Sequence, residues 1–191
     1  MHGDQTQMWR RRLFGAVALT VALSCGSPNA PKQRLEGSLS TVMDLGYDDA
    51  VLTFGGTEFS VLFKRKRGSA KGDCTDLAAS CDTTLSVTSR LEQSPFPDGG
   101  QDALVTGWTY DLTEVLTSGL PRGVVSRNVL DDPRGVTQPF TTLRVGEIHF
   151  INVPQQGQNL KAAGDFHATF TNGVEFASGK TVFGSFQAVF P

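Results

Sequence analysis

Over much of its length the chain alternates apolar and polar residues with a period of two, and this pattern most limits what it can fold into. Successive side chains of a strand point to opposite faces, so such a segment buries one set and wets the other. In EFSVLFKRK, Phe59, Val61 and Phe63 share a face, with Glu58, Ser60 and Lys64 opposite. In TLSVTSRL, Leu85, Val87 and Leu91 alternate with Ser86, Thr88 and Arg90. In GEIHFIN, Ile148 and Phe150 oppose Glu147 and His149; in DFHATFT, Phe166, Ala168 and Phe170 oppose Asp165, His167, Thr169 and Thr171. The last segment sets Phe186, Ala188 and Phe190 against Ser185 and Gln187. Turn residues fall between such runs at Gly55-Gly56, Pro97 to Gly100, Asn172-Gly173 and Ser178-Gly179, which predicts antiparallel hairpins. The fold class is therefore all-β, most simply an antiparallel β-sandwich, with an antiparallel β-barrel as the alternative. One short helix is expected over residues 111–118, where Asp111 could cap, Glu114 complete a capping box, Gly119 stop the helix and Pro121 follow. No internal repeat of fixed period is visible.

The first residues carry a different signal. Arg10, Arg11 and Arg12 precede an apolar run from Leu13 to Leu23, followed by Ser24 and Cys25. A basic stretch, a short apolar stretch and small residues are the parts of a cleaved export signal. The run is about half the roughly 20 residues that span a bilayer as a helix. Ala22-Leu23-Ser24-Cys25 resembles the lipobox of bacterial lipoproteins, with Ala22 where leucine is commoner. The resemblance implies cleavage before Cys25, lipid (diacylglyceryl, then a further acyl chain such as palmitate) on that cysteine, and a membrane anchor. Gly26 rather than aspartate follows, which in lipoprotein sorting implies the outer membrane. Arg11-Arg12-Leu13-Phe14 also resembles the core of a twin-arginine export signal, and Met8 is a second possible start of translation.

Residues 1–24 thus read as signal, 25–34 as a flexible tether containing Pro28 and Pro31, and 35–191 as a single mainly-β domain. Beyond the signal, 14 basic residues face 18 acidic ones, a balance that excludes the electrostatic footprint of nucleic-acid binding. With Cys25 taken by lipid, Cys74 and Cys81 are left to pair as a disulfide in an oxidising compartment.

Familiar catalytic motifs are absent: there is no G-x-S-x-G, no P-loop, no H-E-x-x-H and no paired C-x-x-C. The most specific site hypothesis joins Glu147-x-His149 to Asp165-x-His167. A hairpin with its register centred near residue 158 would set His149 opposite His167 and cluster four ligands suited to a metal such as zinc. Calcium is the other cofactor considered, at Asp44, Asp48 and Asp49 with Asp98 and Asp102. Lys64 to Arg67 with Lys71 reads as a solvated hairpin end, or as a contact for anionic lipid or polysaccharide. Trp108 and Tyr110 share a face, expected in the core, or stacking on a sugar if exposed.

Three functional classes follow. The first is a non-catalytic binding or structural module of the cell envelope, with another envelope protein or a glycan as partner and the membrane reached through its lipid. The second is a metal- or small-ligand-binding lipoprotein using Glu147, His149, Asp165 and His167. The third is a hydrolase built on His149 or His167.

Overall fold

The computed structural model describes residues 33–66, 74, 81–92, 104–128 and 137–191. The elements are β1 (Gln33–Arg34), a 3-10 turn (Ser38–Thr41), β2 (Gly46–Tyr47), β3 (Asp49–Phe54), β4 (Glu58–Lys66), β5 (Cys81–Arg90), β6 (Thr109–Asp111), β7 (Gly123–Asn128), β8 (Thr137–Pro139), β9 (Leu143–Asn152), β10 (Leu160–Phe170) and β11 (Thr181–Phe190). β1 pairs with β2, covering the last two residues of the expected tether, and the other nine strands form one sheet in the order β6-β9-β10-β11-β3-β4-β5-β7-β8. The all-β expectation holds.

All neighbours in the large sheet are antiparallel except β11 and β3, which pair in parallel through only Ala188↔Ala50 and Val189↔Val51. At that narrow seam the sheet folds over on itself. Phe59 of β4 packs edge-on against Tyr110 of β6 and Phe150 of β9, with ring centroids 5.0 and 5.2 Å apart. Phe63 of β4 likewise meets Phe166 of β10 and Phe186 of β11. β6, β9 and β10 stand three to five places from β4 in the sheet order, so the contacts exist because the two halves face each other as a sandwich does. The sheet is not closed into a barrel: β6 and β8 remain its edges, and Pro139 on β8 suits an edge.

The period-two reading is met by the burial. Phe59, Val61, Phe63, Val87, Ile148, Phe150, Ala168, Phe170 and Ala188 are fully buried, and Leu85, Leu91, Phe166, Phe186 and Phe190 nearly so. The β3–β4 turn falls at Gly55-Gly56, where Gly55 N–H donates to the Glu58 carbonyl at 2.9 Å and Gly56 takes φ 82°, a conformation glycine adopts without steric cost.

Residues 111–118 are not a helix, correcting that expectation. Asp111 ends β6, and its carboxylate accepts from the backbone N–H and hydroxyl of Thr113 at 2.8 and 2.6 Å, closing a tight turn instead of starting a helix. Leu112 then sits fully buried between strands: its N–H donates to Gly146 of β9, and its carbonyl accepts from Gly123 of β7. The chain turns back through Gly119 at φ 79°, and Val115 bridges Pro121. Burying Leu112 and its two backbone bonds outweighs the weak local helix signal.

Cys74 and Cys81 form the expected disulfide, with Cα atoms 5.7 Å apart. The bridge secures the start of β5, and Cys74 N–H donates to the Asp49 carboxylate at 3.0 Å, tying the same point to β3.

Candidate functional site

Glu147 and His149 on β9, and Asp165 and His167 on β10, all project from the outer face of the sheet, as their alternation requires. The register differs from the expected one: His149 lies opposite Asp165, and Glu147 opposite His167. The hairpin starts one residue off the expected register, and an irregularity between Ala163 and Gly164, where Asn152 pairs with Ala163 but Phe150 with Gly164, shifts it by one more and leaves Ile151 as an extra residue on β9. Gly164 is tightly seated there; a Cβ would press on the carbonyl of His149 and come within 2.7 Å of the Phe186 ring.

The four side chains therefore form two cross-strand pairs. His149 Nδ1 lies 3.5 Å from Asp165 Oδ2, and His167 Nδ1 lies 3.7 Å from Glu147 Oε1. Each imidazole has a carboxylate as its nearest charged neighbour, the arrangement that favours opposite-type pairs across a ladder. Among the described residues no three His, Cys, Asp or Glu side chains converge as a metal-binding group would.

These pairs continue into neighbouring strands. Thr109 of β6 faces His149, and Ser185 of β11 faces Asp165. Asp111 faces Glu147, and Phe183 faces His167. The four side chains are between 37% and 58% exposed, so the row stands on an open surface. The Asp111 carboxyl is held below the usual range, chiefly by the Thr113 hydroxyl and then by its backbone N–H.

The acidic loop before β3 is occupied by protein partners. Asp44 accepts from Gly46 N–H at 2.9 Å and pairs with Arg65; the Gly46 bond is the main cause that lowers its carboxyl below the usual value, Arg65 adding to it. Asp48 accepts from Lys66 N–H, and Asp49 from Cys74 N–H. These carboxylates cap backbone donors and secure the chain around the β4–β5 end. Asp98 and Asp102 lie outside the described residues.

The described part of the basic run, Lys64 to Lys66, lies within a strand and is not a solvated hairpin end. Lys64 is buried, Arg65 is ion-paired and Lys66 is half-buried, all within β4. Lys64 is buried at the point where the pairing of β4 with β5 slips by one residue, between Phe63 and Lys64. Arg67 and Lys71 lie outside the described residues. The aromatic pair also separates: Tyr110 is 3% exposed in the core, whereas Trp108 is 57% exposed. The strand starts only at Thr109, so Trp108 stands on the rim just outside it.

One buried polar feature had no sequence signal. Arg122, 7% exposed, donates from Nε to Glu114 Oε2 at 2.8 Å and from Nη1 to the Arg90 carbonyl at 3.2 Å. It ties the loop that follows β6 to the end of β5. Only the fold brings these residues together, since Arg90 ends β5 whereas Glu114 and Arg122 lie in the loop between β6 and β7.

Comparison with protein-family models, with curated proteins and with solved structures finds no match to this chain.

Proposed function

We propose that this chain is an exported lipoprotein, held to the outer membrane by lipid on Cys25, whose β-sandwich acts as a non-catalytic binding or structural module for an envelope protein or a glycan. The observation that carries the reading is the succession of Arg10 to Arg12, the apolar run Leu13 to Leu23, and Ala22-Leu23-Ser24-Cys25. The Cys74–Cys81 bridge is consistent with it, because disulfides persist in oxidising compartments outside the cytoplasm. The outer face of β9 and β10 supports a binding role over a catalytic one, since its histidines meet carboxylates on an open surface. In each row the carboxylate–imidazole pair is as much a strand-to-strand tie as a reactive group.

Growth with radiolabelled palmitate tests the proposal. Label should enter the mature protein, and Cys25→Ala should abolish it while the export signal is left uncleaved by the lipoprotein-specific peptidase. Equal labelling of the Cys25→Ala chain, or no label in either, would overturn the anchoring reading.

A further inference from the structure

One end of the sandwich carries an unusual rim. Val105, Trp108, Ile151 and Leu160 are 41%, 57%, 57% and 53% exposed. They come from adjacent elements at the same end of the sheet. Gly107 N–H donates to the Phe150 carbonyl at 2.6 Å and Phe150 N–H to the Trp108 carbonyl at 3.0 Å, which seats Trp108 beside the end of β9. Val153 N–H reaches Thr106 Oγ1 at 2.9 Å, joining the two rim segments. Ile151 is the extra residue at the β9 irregularity and follows buried Phe150 onto the outer face, and Leu160 opens β10 opposite Phe190.

The same two segments are free of charge: residues 104–110 (LVTGWTY) and 151–160 (INVPQQGQNL) contain no Asp, Glu, Lys or Arg; Asp102 and Asp111 flank the first, and the cation Lys161 follows the second. At the opposite end of β10 and β11, exposed Val174 and Phe176 are interrupted by Glu175 and followed by Lys180. An uncharged rim of aliphatic residues around one tryptophan matches the headgroup–acyl boundary of a bilayer, where indole rings are enriched and where burying a charge is costly.

The anchor leads to this end. Glu36 pairs with Phe183, and Gln33 lines a shallow groove with Ile151, Ala163 and Gln187. Followed backward from Glu36 to Gln33, the chain runs along β11 toward its Phe190 end, where Leu160 also lies. Gln33 lies eight positions after Cys25, a span of at most about 29 Å when fully extended.

We propose that the rim of Val105, Trp108, Ile151 and Leu160 rests on the phospholipid surface that holds the lipid of Cys25, so that the anchored sandwich has a fixed bilayer-facing end. The proposal rests on the lipoprotein reading. It leaves the row of Glu147, His149, Asp165 and His167 on the side of the domain, open to a partner.

Trp108 supplies its own probe, because Trp9 leaves with the signal and Trp108 is then the sole tryptophan. The lipidated protein is purified from membranes and reconstituted into vesicles of zwitterionic and anionic phospholipid, with and without bromine on the acyl chains near the headgroup. Flotation of the vesicles and the mass of the N-terminal peptide report anchoring, while Trp108 fluorescence reports docking. Docking predicts a blue-shifted emission and loss of most intensity with brominated lipid, both reversed by Ile151→Ser with Leu160→Ser while flotation persists. Floated protein whose Trp108 emission stays red and unquenched would overturn docking with the anchor intact. A Cys25 peptide without lipid, in protein that does not float, would instead overturn the lipoprotein reading and the docking with it.

Discussion

The face-to-face packing of the two sheet halves can be measured as an energy between Phe59 and Phe150. They lie on β4 and β9, four places apart in the strand order, yet their rings meet edge-on with centroids 5.2 Å apart and both are fully buried. Phe59→Leu and Phe150→Leu each keep an apolar side chain and remove part of the ring volume. Each should cost on the order of 1.5 kcal/mol, between loss of one methylene and truncation to alanine. A buried aromatic pair contributes about 0.5–1.5 kcal/mol beyond its area, and that share is lost in either single variant but only once in the double. The double variant should therefore be more stable than the sum predicts by about that amount. Urea unfolding followed by far-UV circular dichroism gives the four stabilities of the cycle. A parallel cycle pairs Phe59 with Phe183, which lies exposed on the outer face of β11, and should add within about 0.5 kcal/mol. Coupling below about 0.3 kcal/mol for Phe59 and Phe150, or equal coupling in both cycles, would refute the folded-over sheet.

Four further outcomes are expected. Replacing Cys74 and Cys81 together by serine should cost about 2.5 kcal/mol from loop-closure entropy, with the same loss on reducing the native chain, read as a lower urea midpoint. Gly123→Ala should destabilise by roughly 1–3 kcal/mol, because the new Cβ would meet the Leu112 side chain and come within 2.7 Å of its carbonyl oxygen and 2.8 Å of its Cα, which are backbone atoms that cannot swing aside. Asp44 and Asp111 have folded-state pKa values below the ordinary 3.8, so the stability they contribute is complete above the unfolded value and is lost as pH falls through the lowered folded ones. The urea midpoint should then drop in this acid range, and Asp111→Asn should shallow the drop; an unchanged profile would exclude that carboxylate. Added Zn²⁺ should leave the thermal midpoint in place, and a saturable rise lost in His149→Ala with His167→Ala would show that the two pairs rearrange into one ligand set.

The core was legible because period-two alternation is a local property: Phe59, Val61 and Phe63, or Phe166, Ala168 and Phe170, declare their inward face without reference to any partner strand. What depended on pairing was less so. The shared face of Glu147, His149, Asp165 and His167 followed from alternation, but their partners depended on Ile151 being extruded at an irregularity, and one additional residue on a strand leaves no mark in composition. Lys64 was hidden as well, since its charge marks a wetted face and yet it is buried. Residues 111–118 carried a real capping pattern, and a long-range requirement, the seat of Leu112 between β9 and β7, overrode it. Trp108 had the side-chain type and parity of a core residue, and its exposure is decided by where β6 begins.

The account turns on what is attached to Cys25, and the intact mass of the protein purified from the membranes of cells that express it reads this directly. A chain beginning at Cys25 and carrying the added mass of a diacylglyceryl group with its fatty acids is the predicted result. A chain that retains residues 1–24, or one cleaved there with an unmodified Cys25, would contradict it.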